Sequence, residues 1–394
     1  MNGRTGNGPS GGSASAWGEA MIEDIRRATA GAAAAAAALS LQAKWEAEAA
    51  AAVERMPGVR VEDGGECLYL NSISPGCRAC KNGEWDCIFV TMACNLRCAF
   101  CWRPCAPTDG HLGSAFDSRR EEIAAAYART RISGISFSGG EVFLDPAALF
   151  DWIRWATQQA PGRYYWLYTN GLVATEEHLA QAAELGVHEA RFNMAASGYA
   201  DPEALRRLQV AARHFAAVTV EVPAIPEEAS QLLNALPLWS EAGARYLNLH
   251  ELVYEPGTYS ASMRGPRCAG DLGDGHAFAY HPESRALTLA VMEKVAAERL
   301  PLGVNDCSLH SKWRQIRGRR RTLAPLLKKP WERPAGDSML ETFGVWGEST
   351  VRLFHPKRLD EVRSAFPEAR LVRLLRLAPL CADAVPLWQA CEPL

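Results

Sequence analysis

Three cysteines, Cys94, Cys98 and Cys101, stand in the string Cys-Asn-Leu-Arg-Cys-Ala-Phe-Cys, a CxxxCxxC spacing that puts three thiolates on one short loop. Thiolates are the usual ligands of iron–sulfur clusters, and three ligands for four irons leave one iron open to a substrate or cofactor. A closed structural zinc site asks for four ligands in a tetrahedral array. The spacing alone leaves both metals open. A second set, Cys77-Arg-Ala-Cys80 followed by Cys87, lies just upstream in a Gly-rich segment. These thiols suit an auxiliary iron–sulfur or zinc site completed by Cys67 or Cys307, or they pack a loop as buried thiols. The opening string MNGRTGNGPSGGSAS lacks the apolar core of a signal peptide, so a cytoplasmic location is expected. In a reducing compartment, the crowding of seven cysteines into residues 77–105 points to metal rather than to disulfides. Cys105, Cys268, Cys381 and Cys391 are isolated in sequence and read as packing residues.

The elements that must position these groups alternate. Short β-branched and aromatic runs at Cys87–Met92, Ile132–Ser138, Tyr164–Thr169, His188–Asn193, Ala217–Pro223 and Arg245–Glu251 read as strands. Helical stretches fall between them at Ser118–Thr130, Pro146–Gln158, Glu176–Leu185, Pro202–Phe215 and Glu228–Ala242. Such alternation predicts an α/β fold with a parallel sheet. Residues 1–16 are Gly/Ser-rich and expected to be disordered. Residues 17–86 read as an Ala-rich helical extension and a Cys-containing loop, 87–300 as the α/β core, and 301–394 as a basic helix with a small C-terminal segment. With 394 residues, 48% hydrophobic and 22% charged, the composition excludes a wholly disordered chain. A net charge of −3 excludes a globally basic nucleic-acid binder. No stretch is long and apolar enough for a membrane helix.

The CxxxCxxC loop with Phe100 before its last cysteine, and Ser138-Gly139-Gly140-Glu141 ending the next strand, resemble the radical S-adenosylmethionine (radical SAM) superfamily. Thr169-Asn170-Gly171 matches a further strand ending of that family. The resemblance implies a partial (β/α)6 TIM-like barrel. It also implies a [4Fe–4S] cluster on Cys94, Cys98 and Cys101 whose open iron chelates SAM. Phe100 would pack near the adenine, and the Gly-Gly-Glu motif would meet the SAM amino group. Asn170, Asn193, Glu221 and Asn248, with His250 and Glu251, end later strands, where similar enzymes hold cofactor or substrate. The Ser-Pro-Gly-Cys77 segment and Asn-Asp-Cys307-Ser with Lys312 and Gln315 resemble a branch related to pyruvate formate-lyase activating enzyme. A second [4Fe–4S] cluster or a zinc is the expectation that goes with Cys67, Cys77, Cys80, Cys87 and Cys307.

The implied activity is reductive cleavage of SAM and hydrogen abstraction from a C–H bond of a small metabolite, in natural-product biosynthesis. An activase or peptide-modifying enzyme is the nearest rival, and a metal-stabilised binding protein without SAM the non-enzymatic one. Expected partners are a small-molecule substrate and an electron donor such as flavodoxin or ferredoxin, with neither membrane nor nucleic acid. Between Ser311 and Arg333 nine residues are Lys or Arg and only Glu332 is acidic. This stretch reads as phosphate or carboxylate recognition, as a docking face for an acidic electron donor, as an RNA contact, or as a solvated helix face.

Overall fold

Strand-forming residues and Ala/Leu-rich helical runs sort into an alternating chain, as the local pattern dictates. The computed structural model describes residues 32–62, 65–101, 117, 120–254, 258–271, 277–335, 339–346, 351–377 and 388–393. The expected disorder at 1–16, Cys105 and Cys381 lie outside these residues. The chain begins with α1 (Ala32–Arg55), β1 (Val59–Glu62), β2 (Cys67–Leu70) and the short α2 (Pro75–Lys81). It continues through β3 (Trp85–Thr91), α3 (Arg120–Arg129), β4 (Gly134–Gly139), α4 (Pro146–Gln159), β5 (Tyr164–Thr169) and α5 (Glu176–Glu184). Then come β6 (Glu189–Phe192), α6 (Pro202–His214), β7 (Ala217–Ala224), α7 (Ala229–Glu241) and β8 (Tyr246–Glu251). A small antiparallel sheet of β9 (Val253–Tyr254), β10 (Cys268–Asp271) and β11 (Ala277–Tyr280) precedes α8 (Ser284–Ala297), β12 (Gly303–Cys307) and α9 (Leu309–Leu327). A separate antiparallel sheet is built from β13 (Arg333–Ala335), β14 (Met339–Trp346), β15 (Val351–Phe354), β16 (Arg370–Leu377) and β17 (Trp388–Pro393).

The main sheet has nine strands in the order β1-β2-β12-β8-β7-β6-β5-β4-β3. From β3 through β8 to β12, every neighbouring pair is parallel. The expected core of six strands within 87–300 is therefore extended: β12 pairs with β8 from Gly303↔Tyr246 to Cys307↔His250. The β1–β2 hairpin, from the segment read as helix and loop, adds two antiparallel strands beyond β12. Apolar patterning misses β12 because its polar residues serve both faces. Asp306 pairs with Arg285 at 2.6 Å, and Asn305 donates to Asn248 on the other face.

One face of the row is apolar. Ile88, Val90, Ile135, Phe137, Leu167, Val218, Val220, Val222, Leu247 and Leu249 join the main core against the helices. The alternate residues, among them Cys87, Ser136, Arg191, Glu221, His250 and Cys307, line the concave side. Helix α2 packs there, against β3, β4 and β5. Ser74 caps it, accepting from Cys77 N at 3.1 Å. Gly76 lets its first turn approach Arg191, Glu189 and Trp166.

Helix α9 starts directly after β12 and reaches the strand at the other end of the parallel row. Ser308 caps it, and Gly318 in its middle lies against Gly83, just before β3. Arg319 Nη2 bonds Asp86 Oδ1 of β3 at 2.9 Å, with side chains only 1% and 2% exposed. Tyr127 of α3 donates to the other Asp86 oxygen at 2.9 Å. The densest part of the basic stretch is thus turned inward: Arg319 and Arg320 are buried, whereas Arg321 is exposed. Each surface reading of Arg319 and Arg320 fails on that burial. The helix is a clasp between the two ends of the row. Among the described residues no helix is long and apolar enough to cross a membrane.

Breaking a buried ion pair from one side leaves the other charge uncompensated, typically at about 3–5 kcal/mol. Asp86→Ala is expected to lower unfolding stability by roughly that amount in chemical denaturation. A loss no larger than that of an exposed ion pair, about 1 kcal/mol or less, would show that the clasp does not hold the sheet.

Candidate active site

The cysteine loop leaves the C-terminal end of β3, the end where parallel α/β barrels build their sites. Cys98 sits between its two partners, and its thiol is pushed up to about 12 by burial and then by the neighbouring Cys94 and Cys101 sulfurs. Three thiols whose ionised forms repel one another need a cationic centre before all can be thiolates, and an iron cluster supplies one. The donor set therefore fits a [4Fe–4S] cluster.

The loop is held by backbone. Gly140 N donates to Thr91 O at 2.7 Å and Glu141 N to Ala93 O at 2.8 Å. A Cβ on Gly139 would overlap the Thr91 carbonyl oxygen, and one on Gly140 the Ala93 carbonyl oxygen. Gly139 also has φ +127°, a conformation that favours glycine. The sequence suggests that these glycines clear a path for a ligand. In the structure they clear a path for the first residues of the cysteine loop.

Glu141 completes the attachment. It is fully buried, and its Oε1 accepts from Phe143 N (3.1 Å) and Thr169 Oγ1 (2.8 Å). Its Oε2 accepts from Asn170 N at 2.7 Å. Burial pushes its pKa up to about 7, against the pull of these donors. Both oxygens are engaged within the protein, tying the end of β4 to the end of β5. Asn170 in turn donates from Nδ2 to Asn95 Oδ1 of the cysteine loop at 2.7 Å. Gly-Gly-Glu and Thr-Asn-Gly thus meet at the loop. Ser138 is half-buried at the end of β4. Phe100 is half-buried and packs against the cluster of Ile225, Leu252, Tyr254 and Ala279. Asn193 caps a turn, accepting from Ala196 N at 3.2 Å.

Farther along the row the concave face carries a chain of charges. Arg191 donates from Nε to Glu189 (2.8 Å), from Nη1 to Glu221 Oε2 (2.8 Å) and from Nη2 to Ser74 Oγ (3.1 Å). Its guanidinium lies 4.9 Å from the Trp166 ring centre. Glu221 Oε1 is 2.6 Å from His250 Nε2, and His250 Nδ1 meets the Lys312 amine. Lys312 donating to Nδ1 leaves the ring proton on Nε2, facing Glu221. Burial alone would raise Glu221, but His250 and Arg191 hold it well below the ordinary carboxylate range. Asn305 donates to Asn248 Oδ1 at 2.6 Å, and Asn248 Nδ2 lies 3.2 Å from His250 Nε2. Glu251 points the other way and accepts from Leu309 N at 2.8 Å. Of these groups, Arg191 and Glu189 escaped the sequence reading, and Ser74 entered it only within the Ser-Pro-Gly-Cys77 segment. The one signal was the period-two spacing of Glu189 and Arg191 on a very short strand.

The second cysteine set is dispersed over α2, β2, β3 and β12. Cys67 donates to Asp306 O at 2.8 Å and accepts from Lys81 Nζ at 2.6 Å. Burial pushes Cys67 and Cys307 up to about 12 and raises Cys77 and Cys80 as well. Among the described residues no three His, Cys, Asp or Glu side chains converge on a single metal-ion position. A cubane spreads its ligands over separate irons, so the lack of a single-ion position bears on zinc and not on a cluster at Cys94, Cys98 and Cys101. Cys67, Cys77, Cys80, Cys87 and Cys307 are not brought to one zinc position. Each has a buried or half-buried place in the concave face or its rim.

If Gly140 serves the loop, a methyl group there should displace the cysteines. Gly140→Ala is expected to lower the iron bound after anaerobic reconstitution to below half that of the parent, read by iron and sulfide analysis. Full iron content with weakened SAM binding would instead return the glycine to a ligand-approach role.

Residues 88–228 match the family model described as the radical SAM superfamily. A provisionally named glycyl-radical enzyme activating enzyme of Methanocaldococcus jannaschii is 23% identical over 285 residues, covering 69% of this chain and 73% of that protein. Among solved structures, Streptococcus suis SuiB bound to S-adenosylmethionine is 12% identical with a TM-score of 0.43, over 56% of this chain and 49% of that one. The methyltransferase TsrM of Kitasatospora setae is 13% identical with a TM-score of 0.39, over 58% and 54%. The chain thus spans about half the length of these structures. The family match covers the strand that delivers the cysteine loop and the strand ends that hold it, so residues 88–228 carry a domain matching the radical SAM enzyme superfamily, and the chain is similar to a glycyl-radical activating enzyme.

Proposed function

We propose that this enzyme uses a [4Fe–4S] cluster on Cys94, Cys98 and Cys101 to cleave SAM and abstract hydrogen from a small polar molecule held in the concave face of the sheet. When bound, the cluster and SAM supply one-electron chemistry able to break an unactivated C–H bond; the protein contributes position and exclusion of water. Gly139, Gly140, Glu141 and Asn170 fix the loop at the mouth. Ser138, Phe100 and Asn193 are the half-buried positions nearest the strand ends from which SAM is contacted, while Glu221 and Asn248 belong to the substrate side.

The observation that carries the small-molecule reading is the clasp. Helix α9 bridges the ends of the parallel row, and α2 fills part of the concave face. On that face Glu221, His250, Lys312 and Asn248 stand together, a polar set fitted to a small polar substrate. A second reading follows from the name of the archaeal relative: activation of a glycyl-radical partner enzyme. Either reading needs a one-electron donor of the flavodoxin or ferredoxin kind.

Anaerobically reconstituted enzyme with dithionite is expected to convert SAM to 5′-deoxyadenosine, and Cys94→Ala, Cys98→Ala and Cys101→Ala together should abolish this. The dialysable fraction of a cell extract should stimulate turnover. Stimulation by the retained protein fraction alone would favour the activase reading.

A further inference from the structure

The sequence holds only 7 lysines among its 42 basic residues; the other 35 are arginines. Interior ion pairs here are mostly arginine pairs, as at Arg191, Arg285 and Arg319, although Lys81, its side chain 4% exposed, pairs with Glu62 at 3.6 Å and donates to Cys67 at 2.6 Å. Arginine is never deprotonated in proteins, whereas a desolvated lysine readily becomes a neutral amine. A deep lysine set against an imidazole is therefore placed where a neutral amine can form.

Lys312 is such a residue. It lies on the inner stripe of α9 with Ser308, Gln315 and Arg319, a helical repeat facing the sheet. Its amine meets His250 Nδ1, and His250 Nε2 is fixed on Glu221 Oε1 at 2.6 Å. Glu221 is anchored in turn by Arg191 at 2.8 Å. His250 and Lys312 are half-buried and keep part of their surface open. The titratable groups that bear on the amine are Glu221 from β7, His250 and Glu251 from β8, and Cys307 from β12. Burial lowers the pKa of Lys312 despite the acids, and it lowers His250 too.

We infer that Lys312 is a catalytic amine that forms an imine with an aldehyde or ketone carbonyl of the small substrate, with His250 as its proton carrier. His250 Nδ1 takes the ammonium proton, and the freed Lys312 nitrogen bonds to the carbonyl carbon. The proton returns to the carbinolamine oxygen, which leaves as water and gives the C=N bond; no electrons are gained or lost. Glu221 stabilises the imidazolium that forms and keeps the ring turned towards the amine. The inference rests on the small-molecule reading of the concave face and adds a chemical class to its substrate.

The test needs neither SAM nor turnover. Cluster-loaded enzyme is incubated anaerobically with glyceraldehyde or pyruvate and cyanoborohydride near pH 6.5, where ordinary lysines of pKa about 10.4 are almost wholly protonated. Peptide mass mapping then locates the reduced adduct. The expected result is preferential labelling of Lys312, absent in Lys312→Arg. In His250→Gln, an amide still able to bond Glu221, labelling should slow on the order of 100-fold, the scale of a lost proton carrier. Adducts confined to exposed lysines such as Lys44, or unchanged Lys312 labelling in His250→Gln, would overturn the inference. SAM cleavage measured on the same preparations separates the two ideas. Cleavage without a Lys312 adduct leaves the radical SAM reading standing and removes the imine. An adduct without cleavage does the reverse.

Discussion

A row of parallel strands that does not close on itself has two ends, and the buried Arg319–Asp86 pair joins them here. Helix α9 grows from β12 at one end and docks on β3 at the other, its Gly318 against Gly83. Glycine inside a helix is unfavourable by about 1 kcal/mol relative to alanine. It recurs here because the helix must approach the turn before β3 closely. The same docking turns Lys312 and Gln315 towards the concave face. One helix thus defines both the shape of the interior and part of its chemistry.

The mouth of that interior depends on a second close approach. The cysteine loop begins against Gly139 and Gly140 so tightly that neither can carry a side chain. Glu141, buried between the ends of β4 and β5, joins the loop's support to the next strand. A carboxylate fully removed from water is unfavourable unless donors surround it, and three donors do so here. The Gly-Gly-Glu motif is therefore a joint before it is a ligand contact. Any effect of its mutation on SAM must be separated from an effect on the loop.

The parts of this arrangement differed in how plainly they could be read. The six strands from β3 to β8 and their helices were legible from β-branched runs and spacing, because most of their outward residues are apolar. The cysteine loop was legible from its spacing. Strand β12 was not, since Asn305, Asp306 and Cys307 find partners on both faces and break the apolar pattern. Arg319 and Arg320 looked like surface charge because a sequence does not reveal that Asp86 waits for one of them 233 positions earlier. The CxxC spacing of the second cysteine set was legible, but not that its pair lies on a helix packed in the concave face, with the set not gathered at one zinc position. Arg191 hid in a four-residue strand.

The clasp stands or falls with how firmly α9 is bound at both ends of the row. Amide hydrogen exchange followed by mass spectrometry measures it directly, because backbone opening reports how firmly a helix is bound to the rest. Residues 313–323 should exchange in the same slow class as Ile88–Val90 of β3, and both should lose protection together in Asp86→Ala. Rapid exchange throughout α9 while β3 remains protected would contradict the clasp, and with it the enclosed site proposed for a small substrate.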